Sequence, residues 1–413
     1  MLKKIVLIVF VLISGITLAQ EGTSSPYSFY GIGLQKFKGT VENRSMGGIS
    51  MLSDSIHLNI QNPAGVADLK LINFTIGGSH KSTNQKTSNE SQKSTSTSLD
   101  YIAVGIPMGK FGASFGLIPF SSVGYKINAL EDGSSSTFEG SGGLNKAFLT
   151  LAYKITPKFN IGVDANYNFG EIDNTSFSVS QNTELGVVSS NSSALSGFSF
   201  NLGAMYKTMI TENLELSSAL SYSPGTNFKS TNNRNISTVR VLPGGGITSL
   251  DSRDIDVDNT EFTFPSQYTI GTGIGQPKNW FVGVEYTDQK TSNFTNRNFQ
   301  ADNIKYSDAS KFKLGGFYIP NYNSFGNFAK RIVYRAGIRF EETGLNIDGE
   351  DINEFGISFG VGLPVTRLFS NINLGIELGQ RGTKNAGLVQ ENFFNTFLSL
   401  SLNDKWFEKR YIN

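Results

Sequence analysis

FNIGVDANYNFG, residues 159–170, carries the pattern that decides the fold. Phe159, Ile161, Val163, Ala165, Tyr167 and Phe169 fall on one side of an extended chain, and Asn160, Gly162, Asp164, Asn166, Asn168 and Gly170 on the other. Side chains alternate across a strand, so one face is apolar and the opposite face polar or bare. Strands of globular sheets usually run about five or six residues, whereas a tilted strand crossing a bilayer needs about 9–11, and this stretch is long enough for the second.

The alternation recurs on both sides of it. Phe355, Ile357, Phe359, Val361 and Leu363 oppose Gly356, Ser358, Gly360 and Gly362; Ile372, Leu374, Ile376 and Leu378 oppose Asn373, Gly375 and Glu377; Tyr334, Ala336 and Ile338 oppose Arg335, Gly337 and Arg339. The pattern predicts fourteen strands at 70–80, 97–107, 111–120, 145–155, 159–170, 196–207, 213–223, 262–274, 279–289, 309–319, 331–342, 353–363, 369–380 and 393–403. Short connections (108–110, 156–158, 275–278) alternate with long polar ones (81–96, 121–144, 171–195, 224–261, 290–308). That asymmetry, with an even strand number that leaves both termini on the short-turn side, is expected of an outer-membrane barrel. The predicted fold is all-β, a 14-stranded antiparallel transmembrane β-barrel spanning 70–413.

Composition narrows the chemistry. The 413 residues include no cysteine and two histidines, His57 and His80, which excludes disulfide scaffolds and thiolate metal sites and leaves little for a histidine metal centre or a Ser-His-Asp enzyme. Lys+Arg and Asp+Glu nearly cancel, 35 against 34, so no basic surplus suits nucleic acid. Gly at 45, Phe at 32 and Tyr at 15, against 11 Pro, fit strands and loops. No enzyme, cofactor or metal is expected. Asp254, Asp256 and Asp258 alternate in a loop but lack the glycine and closing glutamate of a calcium loop, and the GxGxG of Gly271, Gly273 and Gly275 is followed by a strand rather than a helix.

The N-terminus reads as a signal peptide, residues 1–19: Lys3 and Lys4, an apolar run from Ile5 to Ile13, then a cut after Ala19. Residues 20–69 alternate little but carry Phe29, Tyr30, Phe37, Met46 and Leu58, and are expected to fill the barrel as a plug. By alternation Phe148, Met205, Phe281, Phe317 and Phe397 point into the lumen, where a hydrocarbon chain could bind. Lys154, Lys207, Lys313, Arg335 and Arg339 also point inward; they would either meet a substrate carboxylate or salt-bridge acids of the plug. Gly116 and Pro119 weaken the third strand, since proline has no N–H for the ladder.

The N-terminal SFYGIGL (28–34), SMGG (45–48), SDS (53–55) and NPAG (62–65), in that order, resemble the FadL-type outer-membrane transporters of long-chain fatty acids and other hydrophobic compounds. AYKITPKFNIG (152–162), GFSFNLGAMYK (197–207), FPSQYTIGTGIG (264–275) and YRAGIRF (334–340) extend the likeness over the chain. The resemblance implies a hatch carrying Asn62, Pro63, Ala64 and Gly65, a lateral gate at a kink of the third strand, here Gly116 and Pro119, and passive uptake of hydrophobic molecules, with outer-membrane lipid and a hydrophobic small-molecule substrate as partners. The alternative is a structural barrel subunit with protein partners in an outer-membrane secretion or barrel-assembly complex.

Overall fold

The computed structural model describes residues 22–405 except 132, 181–182, 243, 245, 295–302, 325 and 366–369; the expected signal peptide and the tail after Lys405 lie outside the described residues. The strands are β1 (Leu34–Gln35), β2 (Ile72–Lys86), β3 (Ser91–Met108), β4 (Phe111–Pro119), β5 (Ser121–Glu131), β6 (Ser134–Thr156), β7 (Phe159–Ser180), β8 (Leu185–Met209), β9 (Glu215–Ser223), β10 (Thr226–Val241), β11 (Ile247–Ile255), β12 (Thr260–Phe264), β13 (Gln267–Gln276), β14 (Trp280–Gln289), β15 (Ile304–Tyr306), β16 (Ala309–Tyr318), β17 (Val333–Ile347), β18 (Glu350–Pro364), β19 (Asn371–Arg381) and β20 (Gln390–Asp404). Neighbours pair antiparallel, and β20 returns to β2, from Ile72↔Asp404 to Lys86↔Gln390, so the sheet closes. The wall has 14 strands, because β4 with β5, β9 with β10, β11 and β12 with β13, and β15 with β16 each complete one wall position, and β1 lies on the β5 edge rather than in the wall. Closure pairs the strands around the ring, as a membrane-spanning sheet requires.

Burial follows the alternation. Along β7, Asn160, Asp164, Asn166 and Asn168 are buried while Ile161, Val163, Tyr167 and Phe169 are exposed. An apolar face that is exposed in the isolated chain is a lipid-facing face. No helix among the described residues is long and apolar enough to cross a membrane. The molecule is an outer-membrane β-barrel that crosses with strands.

Two features mark the ring, and the first departs from the sequence reading. The stretches expected as long polar loops are largely strand: β7 and β8 continue to Ser180 and from Leu185, β5 and β6 form a hairpin over 121–144, and β10 with β11 forms another over 226–255. These extensions are rich in Ser, Thr and Asn, and hydroxyl pairs such as Ser136–Ser178 (2.9 Å) join neighbouring strands. Beyond the bilayer a sheet needs no apolar face, so its strands carry no hydropathy alternation to read.

The second feature lies at the third wall position. The ladder between β3 and β4 runs from Met108↔Phe111 to Ile102↔Leu117 and stops there. On the other side pairing with β6 continues through Pro119↔Asn145 and on into β5. The β5 edge that turns away from β3 is paired instead with the N-terminal segment: Leu34↔Ser122, Gln35↔Ser121, Lys36 N–H to the Phe120 carbonyl at 2.9 Å, and Gly124 N–H to Ser28 Oγ at 3.0 Å. Proline sits where a ladder partner is missing, as its lack of a donor demands.

Candidate functional site: the lumen and its N-terminal segment

Residues 22–71 run inside the ring and touch most of its inner surface. Val41–Arg44 is a single helical turn, and Pro63–Asp68 is a 3-10 helix. Asn62 caps the latter: its Oδ1 accepts from Ala64 N–H at 3.1 Å, and its Nδ2 donates to the Leu220 carbonyl of β9 at 3.1 Å. One side chain thus starts the turn and pins it to the wall. Pro63 occupies the first helical position, where its missing N–H costs nothing. Wall glycines receive this motif. A Cβ at Gly203 would lie 2.2 Å from Asn62 Oδ1, and one at Gly162 2.5 Å from the Pro63 carbonyl carbon.

The same close approach recurs at residues 45–48. A Cβ at Gly315 would lie 2.0 Å from the Met46 carbonyl oxygen, at Gly337 2.1 Å from Gly47 N, and at Gly360 2.3 Å from Ser45 Oγ. Gly47 adopts φ +68°, a left-handed conformation suited to glycine, and its N–H donates to Ser358 Oγ at 3.0 Å.

Inward ions mostly face the segment or one another. Asp68 meets Lys154 at 2.7 Å and Lys207 at 3.3 Å. Burial raises the Asp68 pKa, but Lys207, Lys154, Ser53 and Asn160 outweigh it and hold the carboxyl down to about 2. Lys313 meets Glu285 at 2.8 Å, and Glu285 also accepts from Ser50 N–H at 2.6 Å. Arg339 bridges Glu354 and Glu377, both at 2.6 Å, and Arg44 reaches Glu377 at 3.2 Å. Arg335 donates to Asn373 Oδ1 at 3.0 Å, and Asn373 donates to Glu42 at 2.8 Å. His57 Nδ1 lies 2.6 Å from Asp54; burial lowers the His57 pKa, but the Asp54 charge and hydrogen bond outweigh it and raise it.

The inward apolar residues also meet the segment. Phe148 and Phe397 pack with Leu58, Val66 and Leu69, while Met205 and Phe281, with Phe317 beside them, pack with Met46, Ile49 and Met51. Of the two readings left open for the lumen cations, Lys154, Lys207 and Lys313 satisfy groups of the N-terminal segment, whereas Arg339 reaches it only through Glu377.

Above this packing lies a chamber of about 300 Å³. Its wall beside the ladder break carries Ile118, Pro119 and Phe120, and further round Phe264 and Phe294. Ring contacts link Phe120 to Phe264 (5.0 Å), Phe264 to Phe228 (6.0 Å), Phe228 to Phe262 (5.2 Å) and Phe262 to Phe294 (6.2 Å). Lys146 lines the same chamber, 8% exposed, with its ammonium 4.3 Å from the Phe120 ring centre and no carboxylate within ion-pair distance among the described residues. The buried Gln289 Nε2 and Tyr306 hydroxyl there also lack hydrogen-bond partners among the described residues. The sequence reading missed Lys146, although it sits two residues from Phe148 and so on the same inward face. Gly116 serves packing: a Cβ there would lie 2.3 Å from the Ile102 carbonyl oxygen.

A second cavity, about 1890 Å³, lies against the outer face of β14 and β16–β20, continuing onto β2 and β3. Outward residues such as Leu374 and Leu398 line it together with the inward glycines Gly315, Gly337, Gly360 and Gly375, whose bare backbones form a thin wall; Phe281, Phe317, Arg335 and Phe397 border it from the same strands.

A closed 14-strand wall, a ladder break at the third strand and an N-terminal segment within the ring define the class. The fold is that of FadL-type outer-membrane channels. The Pseudomonas putida toluene transporter TodX superposes with a TM-score of 0.58 at 15% identity, over 90% of this chain and 98% of that one. A Pseudomonas aeruginosa FadL homologue gives 0.58 at 10% identity, over 91% and 99%. No curated protein matches the sequence. The chain belongs to the BamG family, whose family model matches residues 1–413.

Proposed function

We propose that the barrel lets hydrophobic molecules cross the outer membrane, with residues 22–69 acting as the hatch. A molecule enters the upper chamber from the long extracellular strands, rests against Phe264, Phe294 and Phe120, and leaves sideways into the bilayer between β3 and β5 when residues 28–36 release the β5 edge. The observation that carries this reading is the coincidence of three things at one place: the ladder that stops at Leu117, the aromatic wall beginning at Phe120, and the unpaired Lys146. An ammonium beside aromatic rings suits an amphiphile with an anionic head, because charge-assisted hydrogen bonds are strong where water is scarce. Gly116 and Pro119 are then positioning residues of the gate. Phe148, Met205, Phe281, Phe317, Phe397, Arg335 and Arg339 hold the hatch rather than the passenger. The chain has no cysteine, so L34C/S122C is the sole thiol pair. In proteoliposomes, oxidising it should stop entry of a long-chain alcohol and reduction should restore it; entry that ignores the cross-link contradicts the lateral route.

A second reading, a structural subunit of an outer-membrane secretion or barrel-assembly complex, is favoured by the whole-chain BamG match and by the concave outer wall. Extraction in mild detergent separates the two: a stoichiometric protein partner supports the subunit, retained lipid or fatty acid the channel.

A further inference from the structure

We propose that the concave outer wall is a docking face for a different membrane-embedded β-barrel, whose convex wall seats in it. The inference rests on the subunit reading and adds the surface and the kind of partner.

The concavity has a cause inside the lumen. Gly283, Gly315 and Gly337 stand opposite one another in neighbouring strands and point inward. Having no side chains, they let the wall sink onto Met46 and Gly47, and the same strands bound the outer cavity. One cross-strand row follows that hollow from Val282 through Gly316 and Ala336 to Thr396, His80 and Thr97. It spans the adjacent strands β14, β16–β20, β2 and β3, about 34 Å at ~4.8 Å per strand. About five residues along each strand add about 15 Å, so the face offers roughly 500 Å² a side, or about 1,000 Å² in all, the threshold for a specific interface.

Three observations select a protein barrel as occupant. The lining of the hollow is broken by small outward residues, Gly316, Ala336 and Gly78, set among bulky ones such as Val282, Phe359, Ile376 and Leu398. Small residues in a membrane interface let a second backbone come close. The row ends on outward polar groups: His80 Nδ1 lies 2.8 Å from Thr97 Oγ1, and Thr396 Oγ1 donates to the His80 carbonyl at 3.4 Å. Polar groups facing acyl chains are costly, whereas a partner chain can hydrogen-bond to them. Finally, curvature speaks against a second copy. Two hollows face to face leave a void, and hollow against convex wall is a head-to-tail contact that makes a ring or a filament of copies rather than a one-to-one pair.

The test uses cells making the full chain, with a photo-crosslinking amino acid at Val361 or Leu374 in the hollow and at Ile161 or Leu202 on the wall formed by β7 and β8. The proposal expects one discrete adduct from the hollow positions, mapped by mass spectrometry to an outward strand residue of another β-barrel, and none from the controls. A336W, with the heat-modifiable folded band intact, should lower that adduct at least tenfold; G316W gives a second, independent obstruction. Adducts to phospholipid only, to another copy of this chain, or equally from both walls overturn it. A stoichiometric partner that cross-links only elsewhere overturns the face and leaves the subunit reading standing. No partner by either measure sinks both.

Discussion

Residues 41–69 and residues 22–38 share one lumen but are held there by different means. The first stretch is pressed backbone to backbone against inward glycines, pinned by Asn62 and tied by Asp68, Arg44 and the bonds of Ser50 to Glu285. The second rests on the edge of β5 through a two-residue ladder and a few backbone hydrogen bonds, with Tyr27 and Ile32 buried in apolar clusters beside it and one ion pair, Lys38 to Asp164 at 3.2 Å, at its end. Buried ion pairs and close-packed backbone resist removal piece by piece, because each broken contact strands a charge or opens a void. A short strand on a sheet edge can peel away, since water or another strand can take over its hydrogen bonds. The contrast suggests how a filled barrel can still open: the lower stretch stays as a floor while the upper one moves.

The largest effect should follow from breaking the floor's ion network. E377A leaves Arg44 and Arg339 without the carboxylate they share, and should cost about 3–5 kcal/mol of barrel stability in a urea titration of the heat-modifiable band. An unchanged midpoint would remove the network from the account. Next comes G337V, whose side chain would meet the Gly47 backbone; overpacking of this kind costs about 1–3 kcal/mol, while G246V, at a site with almost no near neighbours, should be silent.

D68N should lose about 2 kcal/mol at neutral pH, from a carboxyl held down to about 2 against an ordinary value near 4. The sign is that of a depressed acid: the stabilisation is complete above the ordinary value and disappears as pH falls through about 2, so D68N should flatten the acid limb of wild-type stability. His57 has the opposite sign. Its raised pKa makes its contribution complete below the ordinary histidine value and lost as pH rises through the folded one, which H57Q should abolish. The smallest effect belongs to the upper chamber. K146M should leave stability unchanged or slightly higher, since an unpaired buried cation costs free energy. Its entry assay should slow a long-chain carboxylate at least tenfold more than the matching alcohol; equal slowing would take Lys146 out of the chamber's chemistry.

Much of this architecture was legible in the sequence because lipid imposes a simple rule. Every membrane-crossing strand must be apolar on one face, and FNIGVDANYNFG shows that rule unaided. The inward direction of Phe148, Met205, Phe281, Arg335 and Arg339 came from the same alternation. Their partners did not, because alternation says which face a residue occupies and nothing about which loop-like residues lie opposite. Gly337 read as one more residue of the face opposite the apolar one, and Gly315 carried no reading at all, until Met46 and Gly47 were seen against them. The β7–β8 and β10–β11 extensions were illegible for the complementary reason: outside the bilayer nothing forces Ser, Thr and Asn to alternate with apolar residues.

Hydrogen exchange of the folded barrel in detergent, read peptide by peptide across residues 22–69, tests the two-part lumen most directly. The account predicts amides of 41–69 protected like the wall strands, and those of 28–36 exchanging at least a hundredfold faster. Equal protection along the whole segment, or a floor that exchanges as readily as the β5-edge strand, would contradict it.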